Sequence, residues 1–299
     1  MSRIDQALRR ASLPVAHHAP IAAHAGLEEE KPDEALLQYP WESGLSSFPA
    51  EAPDRLPRQK IAAARTSERR QPGPLHAAFE RKLVVSETAT PLAVVQYRRL
   101  AAALHQLQTE RRLKTLMVTS ALPNEGKTLT VANLALTFSE SFARRVLLID
   151  GDLRRPSVHT LFRLSNAYGL SDVLHSESND IPLLRASANL SVLPAGHPDL
   201  NTSAALTSDR MEDLVEQLAP QFDWILLDAA PVLFMPDAEL LARMTGAVLF
   251  VIGAGSTPYP LVDRAMAALG PDLVVGTVLN RVADENIPGP MDPALRDET

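Results

Sequence analysis

The sequence predicts an α/β protein with a doubly wound, mostly parallel sheet behind a disordered, Pro-rich N-terminal extension. Three observations predict it. Apolar runs of strand length recur between Thr115 and Leu279, and they are almost continuously hydrophobic, as strands covered on both faces must be. Helical segments alternate with them, the pattern of right-handed βαβ crossovers. Upstream, prolines recur from Pro14 to Pro74, too closely for regular elements to run between them.

Residues 1–85 are rich in Pro, Ala and charge and lack sustained periodicity, so a largely disordered extension is expected there. Its start differs. Ile4, Ala7, Leu8 and Ala11 share one helical face beside Arg3, Arg9 and Arg10, which predicts a short helix over 3–12, either frayed or docked on a partner. The folded domain is expected over 86–285, with a flexible tail at 286–299. It begins with a helix over Leu92–Gln108. The strands follow at Thr115–Ser120, Arg145–Ile149, Leu190–Leu193, Trp224–Leu227, Ala247–Ile252 and Val274–Leu279, with a helix over Leu129–Phe138 after the first. No internal repeat is evident.

Composition narrows the function classes. A chain of 299 residues with 45% hydrophobic content suits a soluble protein with a sizeable core. A formal net charge of -7 argues against nucleic-acid binding through bulk charge. The absence of cysteine excludes disulfides and thiolate metal sites. The scattered histidines, His17 and His18 among them, have no metal-ligand partners at useful spacing. No apolar run approaches the roughly 20 residues that span a bilayer. The first residues lack a signal peptide's apolar stretch. A cytoplasmic protein is expected, reaching the inner membrane through a partner.

The chemistry concentrates after the first strand, in Ala121-Leu122-Pro123-Asn124-Glu125-Gly126-Lys127-Thr128. This is a phosphate-binding loop with Ala in place of the first Gly, in the strand–loop–helix context the motif requires. Gly126 permits the tight turn, and the backbone N–H groups and helix start face an anion. Lys127 is placed to reach β- and γ-phosphates and the Thr128 hydroxyl to bind magnesium. Pro123, Asn124, Glu125 and Leu129 complete the nucleotide-binding segment. The loop implies ATP and Mg2+.

Ligands of parallel α/β sheets sit at the carboxyl ends of strands. The second strand ends in Asp150-Gly151-Asp152, where paired carboxylates suit magnesium coordination, water positioning or acceptance of a proton. Trp224-Ile225-Leu226-Leu227-Asp228 is an apolar strand ending in Asp, the Walker B pattern whose carboxylate holds the magnesium shell. Arg154 and Arg155 are candidates for phosphate oxygens or for a solvated turn. Asn280, closing the last strand, either reads adenine or caps a turn.

These motifs, with Gly169-Leu170-Ser171-Asp172-Val173-Leu174, Ala229-Ala230-Pro231-Val232-Leu233 and Asp237-Ala238, resemble the bacterial tyrosine kinases, the CpsD/CapB-like exopolysaccharide autokinases. The resemblance runs from about Pro91 to Arg281. It implies a P-loop NTPase fold and phosphoryl transfer from Mg-ATP to tyrosine. Lys127, Asp150, Asp152 and Asp228 would be catalytic, and Thr128, Asp150, Asp152 and Asp228 would lie on the metal side. It implies a homo-oligomer and a separate membrane-embedded polysaccharide co-polymerase as partner, and no nucleic acid. Partitioning ATPases of the same superfamily carry a second lysine where Leu122 stands and Gly-Gly where Pro123-Asn124 stand.

Two departures from the family pattern are visible. The chain's tyrosines are Tyr39, Tyr97, Tyr168 and Tyr259, so autophosphorylation of a tyrosine-rich tail is not expected, and Tyr39 is the candidate substitute. The family's Glu-x-x-Arg-x-x-Arg oligomerisation motif is reduced to Arg98, with Val95 and Ala101 at its outer positions. The expected function is therefore a tyrosine kinase regulating exopolysaccharide biosynthesis and export. A non-catalytic ATP-dependent switch for the co-polymerase and a partitioning-type dimeric ATPase stand as alternatives.

Overall fold

A computed structural model describes residues 82–282, apart from 87–88, 177–179, 198–201, 207 and 236. The helix expected at 3–12, the acceptor candidate Tyr39 and the tail at 286–299 lie outside these residues.

Helix α1 (Pro91–Arg111) opens the described domain, with Pro91 in its first turn, where a fixed φ is already helical. Arg112, in the left-handed region, ends it and turns the chain into β1 (Thr115–Ser120). Helix α2 (Lys127–Leu136) runs on through a π-helical turn (Thr137–Ser141) before β2 (Val146–Asp150). Short helices α3 (Val158–Phe162) and α4 (Leu170–His175) precede β3 (Leu184–Arg185) and β4 (Leu190–Leu193). The order continues with α5 (Thr202–Leu206), α6 (Asp209–Leu218), β5 (Trp224–Asp228), α7 (Asp237–Thr245), β6 (Val248–Gly253), α8 (Tyr259–Leu269) and β7 (Val274–Asn280).

The strands form one sheet in the order β3-β4-β2-β5-β1-β6-β7. Every pairing is parallel except β3 with β4. The α/β, mostly parallel sheet expected from the apolar runs is therefore the fold. The two-residue β3 has no counterpart in the pattern, because so short a strand carries no period. Helix α2 starts at Lys127 rather than at Leu129, since Gly126 already serves as its N-cap.

Strands β1, β2, β5 and β6 are buried almost throughout. Leu116, Val118, Leu148, Leu226 and Val251 face a core that also takes Ala101 and Leu104 of α1 and Val131, Leu134 and Ala135 of α2. The alternate residues, Met117, Leu147, Ile225 and Phe250, are equally buried, so the sheet is covered on its second face too. The π-helical turn brings Phe138 onto the buried Trp224 at the start of β5. Their rings stack at 4.9 Å between centroids and 21° between planes. Leu83, ahead of α1, is fully buried in the same core, and Asn133 of α2 holds its neighbours through Val84 N–H and the Lys82 carbonyl.

Candidate functional site: the phosphate loop and the strand-end aspartates

The parallel strands β1, β2 and β5 all end on one edge of the sheet, and their registers decide what meets there. Asp150 is the Cα partner of Asp228 across β2 and β5, and Val118 pairs with Asp228 from β1. The phosphate loop leaves β1 two residues later. Close approach at this edge needs Gly151. Its N–H donates to the Asp228 carbonyl at 2.8 Å, and a Cβ there would stand 2.8 Å from the same oxygen.

The loop's own backbone turns through two left-handed residues, Asn124 at φ 65° and Gly126 at φ 96°. A Cβ on Gly126 would meet the Asn280 amide nitrogen at 2.1 Å. That amide donates to the Glu125 carbonyl at 2.8 Å, and the Arg281 guanidinium donates to the Asn124 carbonyl, so the end of β7 braces the loop from behind. Gly126 gives α2 no side-chain cap. The N–H groups of the helix's first turn are thus left to an external acceptor.

Beyond the loop lies a cavity of about 550 Å³, lined by Pro123, Asn124, Gly126, Lys127, Thr128, Leu129, Asp152, Arg154, Arg155 and Ser157 among others. Lys82, Arg281, Pro231 and the exposed Phe234 also reach it. Asp150 and Asp228 are fully buried beneath it. Neither Glu125 nor Asn280 lines it; both stand behind the loop.

Lys127 sits between carboxylates, its Nζ 2.9 Å from Asp152 Oδ2 and 3.8 Å from Asp228 Oδ1. Burial works to lower its pKa, but Asp228, Asp152 and Asp150 together raise it, so it is a lysinium. The Thr128 hydroxyl donates to Asp228 Oδ2 at 2.6 Å, and the Ser157 hydroxyl lies 3.3 Å from that of Thr128. Asp150 Oδ2 accepts from the N–H groups of Ser157 and Val158, both at 3.0 Å. Asp152 Oδ1 accepts from the Arg155 N–H at 3.1 Å.

Burial and the neighbouring Asp228 push the Asp150 carboxyl up to about 8, and burial raises Asp228 as well. One oxygen on each, Asp150 Oδ1 and Asp228 Oδ1, is buried without a hydrogen-bond partner. Two orphaned carboxylate oxygens beside a threonine hydroxyl fit a hard divalent cation, which takes oxygen ligands and keeps several waters. Among the described residues no cluster of three His, Cys, Asp or Glu forms a closed metal cage.

The structure brings Lys127, Thr128, Asp150, Asp152 and Asp228 together. Sequence reasoning missed Ser157, which ties Thr128 to Asp150, and the side chain of Glu125. The only local signal for Ser157 is its place after Pro156, just ahead of a helix.

Strand, phosphate loop and helix in this order, with in-register aspartates at the next strand ends, define a P-loop nucleotide-binding α/β protein. The chain is 33% identical over 206 residues to tyrosine-protein kinase YwqD of Bacillus subtilis, covering 68% of this chain and 86% of that one. It belongs to the bacterial tyrosine-protein kinase family. Tyrosine-protein kinase wzc of Salmonella typhimurium is 31% identical over 205 residues, 67% of this chain but 28% of that longer protein. Among solved structures, the kinase domain of the Escherichia coli tyrosine kinase ETK is similar at a TM-score of 0.58 and 32% identity, over 62% of this chain and 73% of that one. No family model matches the chain.

Proposed function

We propose that the cavity binds Mg-ATP and that the chain transfers its γ-phosphoryl group to a protein tyrosine, regulating exopolysaccharide biosynthesis and export. The observation that carries this is the meeting of Lys127, Thr128 and the Asp150–Asp228 pair at the mouth of α2. The first-turn N–H groups of α2 and Lys127 hold the β- and γ-phosphate oxygens. Thr128, Asp150, Asp152 and Asp228 form the metal side, where bound magnesium would neutralise charge on the phosphates. Arg154 and Arg155 at the cavity wall take further phosphate oxygens. Asn280, off the cavity wall, serves the site by bracing the loop through the Glu125 carbonyl rather than by reading adenine.

In the transfer, the acceptor phenol oxygen bonds to the γ-phosphorus as the bond to the β–γ bridging oxygen breaks. The phenol proton passes to Asp152, which lines the cavity above Asp150, and ADP leaves with the electron pair. A carboxylate is needed because a free phenol, with a pKa near 10, is a poor nucleophile at neutral pH.

No helix among the described residues is long and apolar enough to cross a membrane. The membrane contact of such a system would then run through a separate co-polymerase chain, with this protein peripheral to the inner membrane on its cytoplasmic side.

Calorimetric titration with Mg-ATP tests the site. Asp228→Asn should weaken magnesium-dependent binding roughly 10- to 100-fold, while binding without magnesium changes little. An unchanged magnesium dependence would refute the assignment.

A further inference from the structure

The P-loop pattern places no demand on the side chain at position 125, yet Glu125 carries a carboxylate that is only 3% exposed. It points away from the cavity, toward the loop that joins β6 to α8. Its Oε2 accepts from the Leu122 N–H at 2.6 Å, within the phosphate loop itself. Its Oε1 accepts from the Gly253 N–H at 3.1 Å and from the Thr257 hydroxyl. Gly253 begins the β6–α8 loop and Thr257 stands near its end. The carboxylate thus gathers both ends of that loop, which is itself closed by Ser256 and Thr257 N–H groups on the Gly253 carbonyl. Every donor is neutral, and no basic side chain among the described residues is ion-paired with Glu125.

The main chain of the same residue is held from another direction, since the Glu125 carbonyl accepts from Asn280 at the end of β7. One residue therefore joins three strand ends: β1 through the loop it belongs to, β6 through its carboxylate and β7 through its carbonyl. The peptide it pins is the one that enters Gly126, whose left-handed turn aims the N–H groups at the start of α2. A buried carboxylate that lost a donor would pull on its remaining partners or admit water. Either change moves the peptide that shapes the anion cradle.

We propose that Glu125 is a positioning residue for nucleotide binding: its carboxylate latches the β6–α8 loop to the phosphate loop, and the hold on Thr257 sets the affinity for Mg-ATP. The inference rests on the cavity being the Mg-ATP site. Thr257 is the better place to test it, because it lies on another element, outside the phosphate loop.

The full-length protein is titrated with a fluorescent magnesium-ATP analogue and assayed for its KM for ATP, with thermal unfolding as a check on folding. Thr257→Val removes one donor to the carboxylate and should raise Kd and KM about 3- to 10-fold, with kcat at saturating ATP close to wild type. Thr257→Ser keeps the hydroxyl and should restore wild-type affinity. Glu125→Gln keeps one accepting oxygen but turns an NH2 toward either the Leu122 or the Gly253 N–H, and should weaken binding about 10-fold or more. The double variant should then be no weaker than Glu125→Gln alone.

Wild-type affinity in Thr257→Val, equal losses in Thr257→Val and Thr257→Ser, or additive losses in the double variant would each overturn the latch and leave the nucleotide site standing. Failure of the wild-type protein to bind the analogue would overturn both.

Discussion

Asp150 and Asp228 end neighbouring parallel strands in direct register, so two fully buried carboxylates face one cavity floor with Lys127 as their nearby cation. Their meeting explains both the chemistry and a weakness of the fold. Like charges in a dry setting favour protonation of one partner, and a cation at the floor relieves the strain.

The pH dependence of stability follows. The Asp150 carboxyl is pushed up to about 8, above an unfolded value near 3.9. Between these values the folded chain holds a proton that the unfolded chain has released. The contribution is fully present below the unfolded pKa and is lost as pH rises through the folded one. Asp172 and Asp223 are held below the carboxylate range despite partial burial, chiefly by hydrogen bonds from His197 and from the Arg145 N–H respectively. Their contribution is lost only in acid, outside this window. In chelator and without nucleotide, Tm should fall from pH 5 to pH 8, with burial raising Asp228 in the same sense and lowering His159 in the opposite one, and Asp150→Asn should make that fall shallower. A wild-type Tm that is level across the window would contradict the shift.

Gly126 should tolerate no side chain. Gly126→Ala places a Cβ against the Asn280 amide and at a φ of 96°. Destabilisation of about 1–3 kcal/mol is expected, with loss of nucleotide binding. Pairing it with Asn280→Ala should recover part of the stability, since the clash goes while the backbone strain stays. Denaturant unfolding of the single and double variants measures this.

The Phe138–Trp224 stack should matter to stability and little to chemistry. Phe138→Ala empties a fully packed position under β5, and about 3–5 kcal/mol should be lost. Nucleotide affinity at a temperature where the variant is folded should match wild type, because Phe138 lies on the far side of α2 from the loop's end.

How much of this was legible beforehand depends on range. The strands Thr115–Ser120 and Leu190–Leu193 match their apolar runs to the residue, since alternation of apolar and polar segments is a local signal. The phosphate loop is legible for the same reason, being one continuous stretch. Strand order is not local, so nothing in the runs places β5 between β2 and β1 and sets Asp228 beside Asp150. The bracing of Glu125 by Gly253, Thr257 and Asn280 joins positions more than a hundred residues apart, and no spacing rule announces it. Leu83 was hidden differently: the three-residue apolar run Leu83-Val84-Val85 next to a Pro-rich stretch is too short to show a period, and Asn133, two turns into α2, ties its segment down. The tyrosines differ in accessibility as well. Tyr97 is packed against α1's neighbours, burial raising its phenol's pKa, whereas Tyr259 at the start of α8 is 54% exposed.

In the proposed function, phosphoryl transfer to tyrosine from this cavity depends on Lys127. Purified protein is incubated with Mg-ATP and phosphotyrosine is mapped by mass spectrometry, with Lys127→Met alongside and the cytoplasmic segment of the proposed membrane co-polymerase added in a second arm. Phosphotyrosine is expected in the wild-type protein, falling roughly 100- to 1,000-fold in Lys127→Met. Phosphotyrosine at equal levels in both proteins, or in neither arm despite bound Mg-ATP, would contradict it.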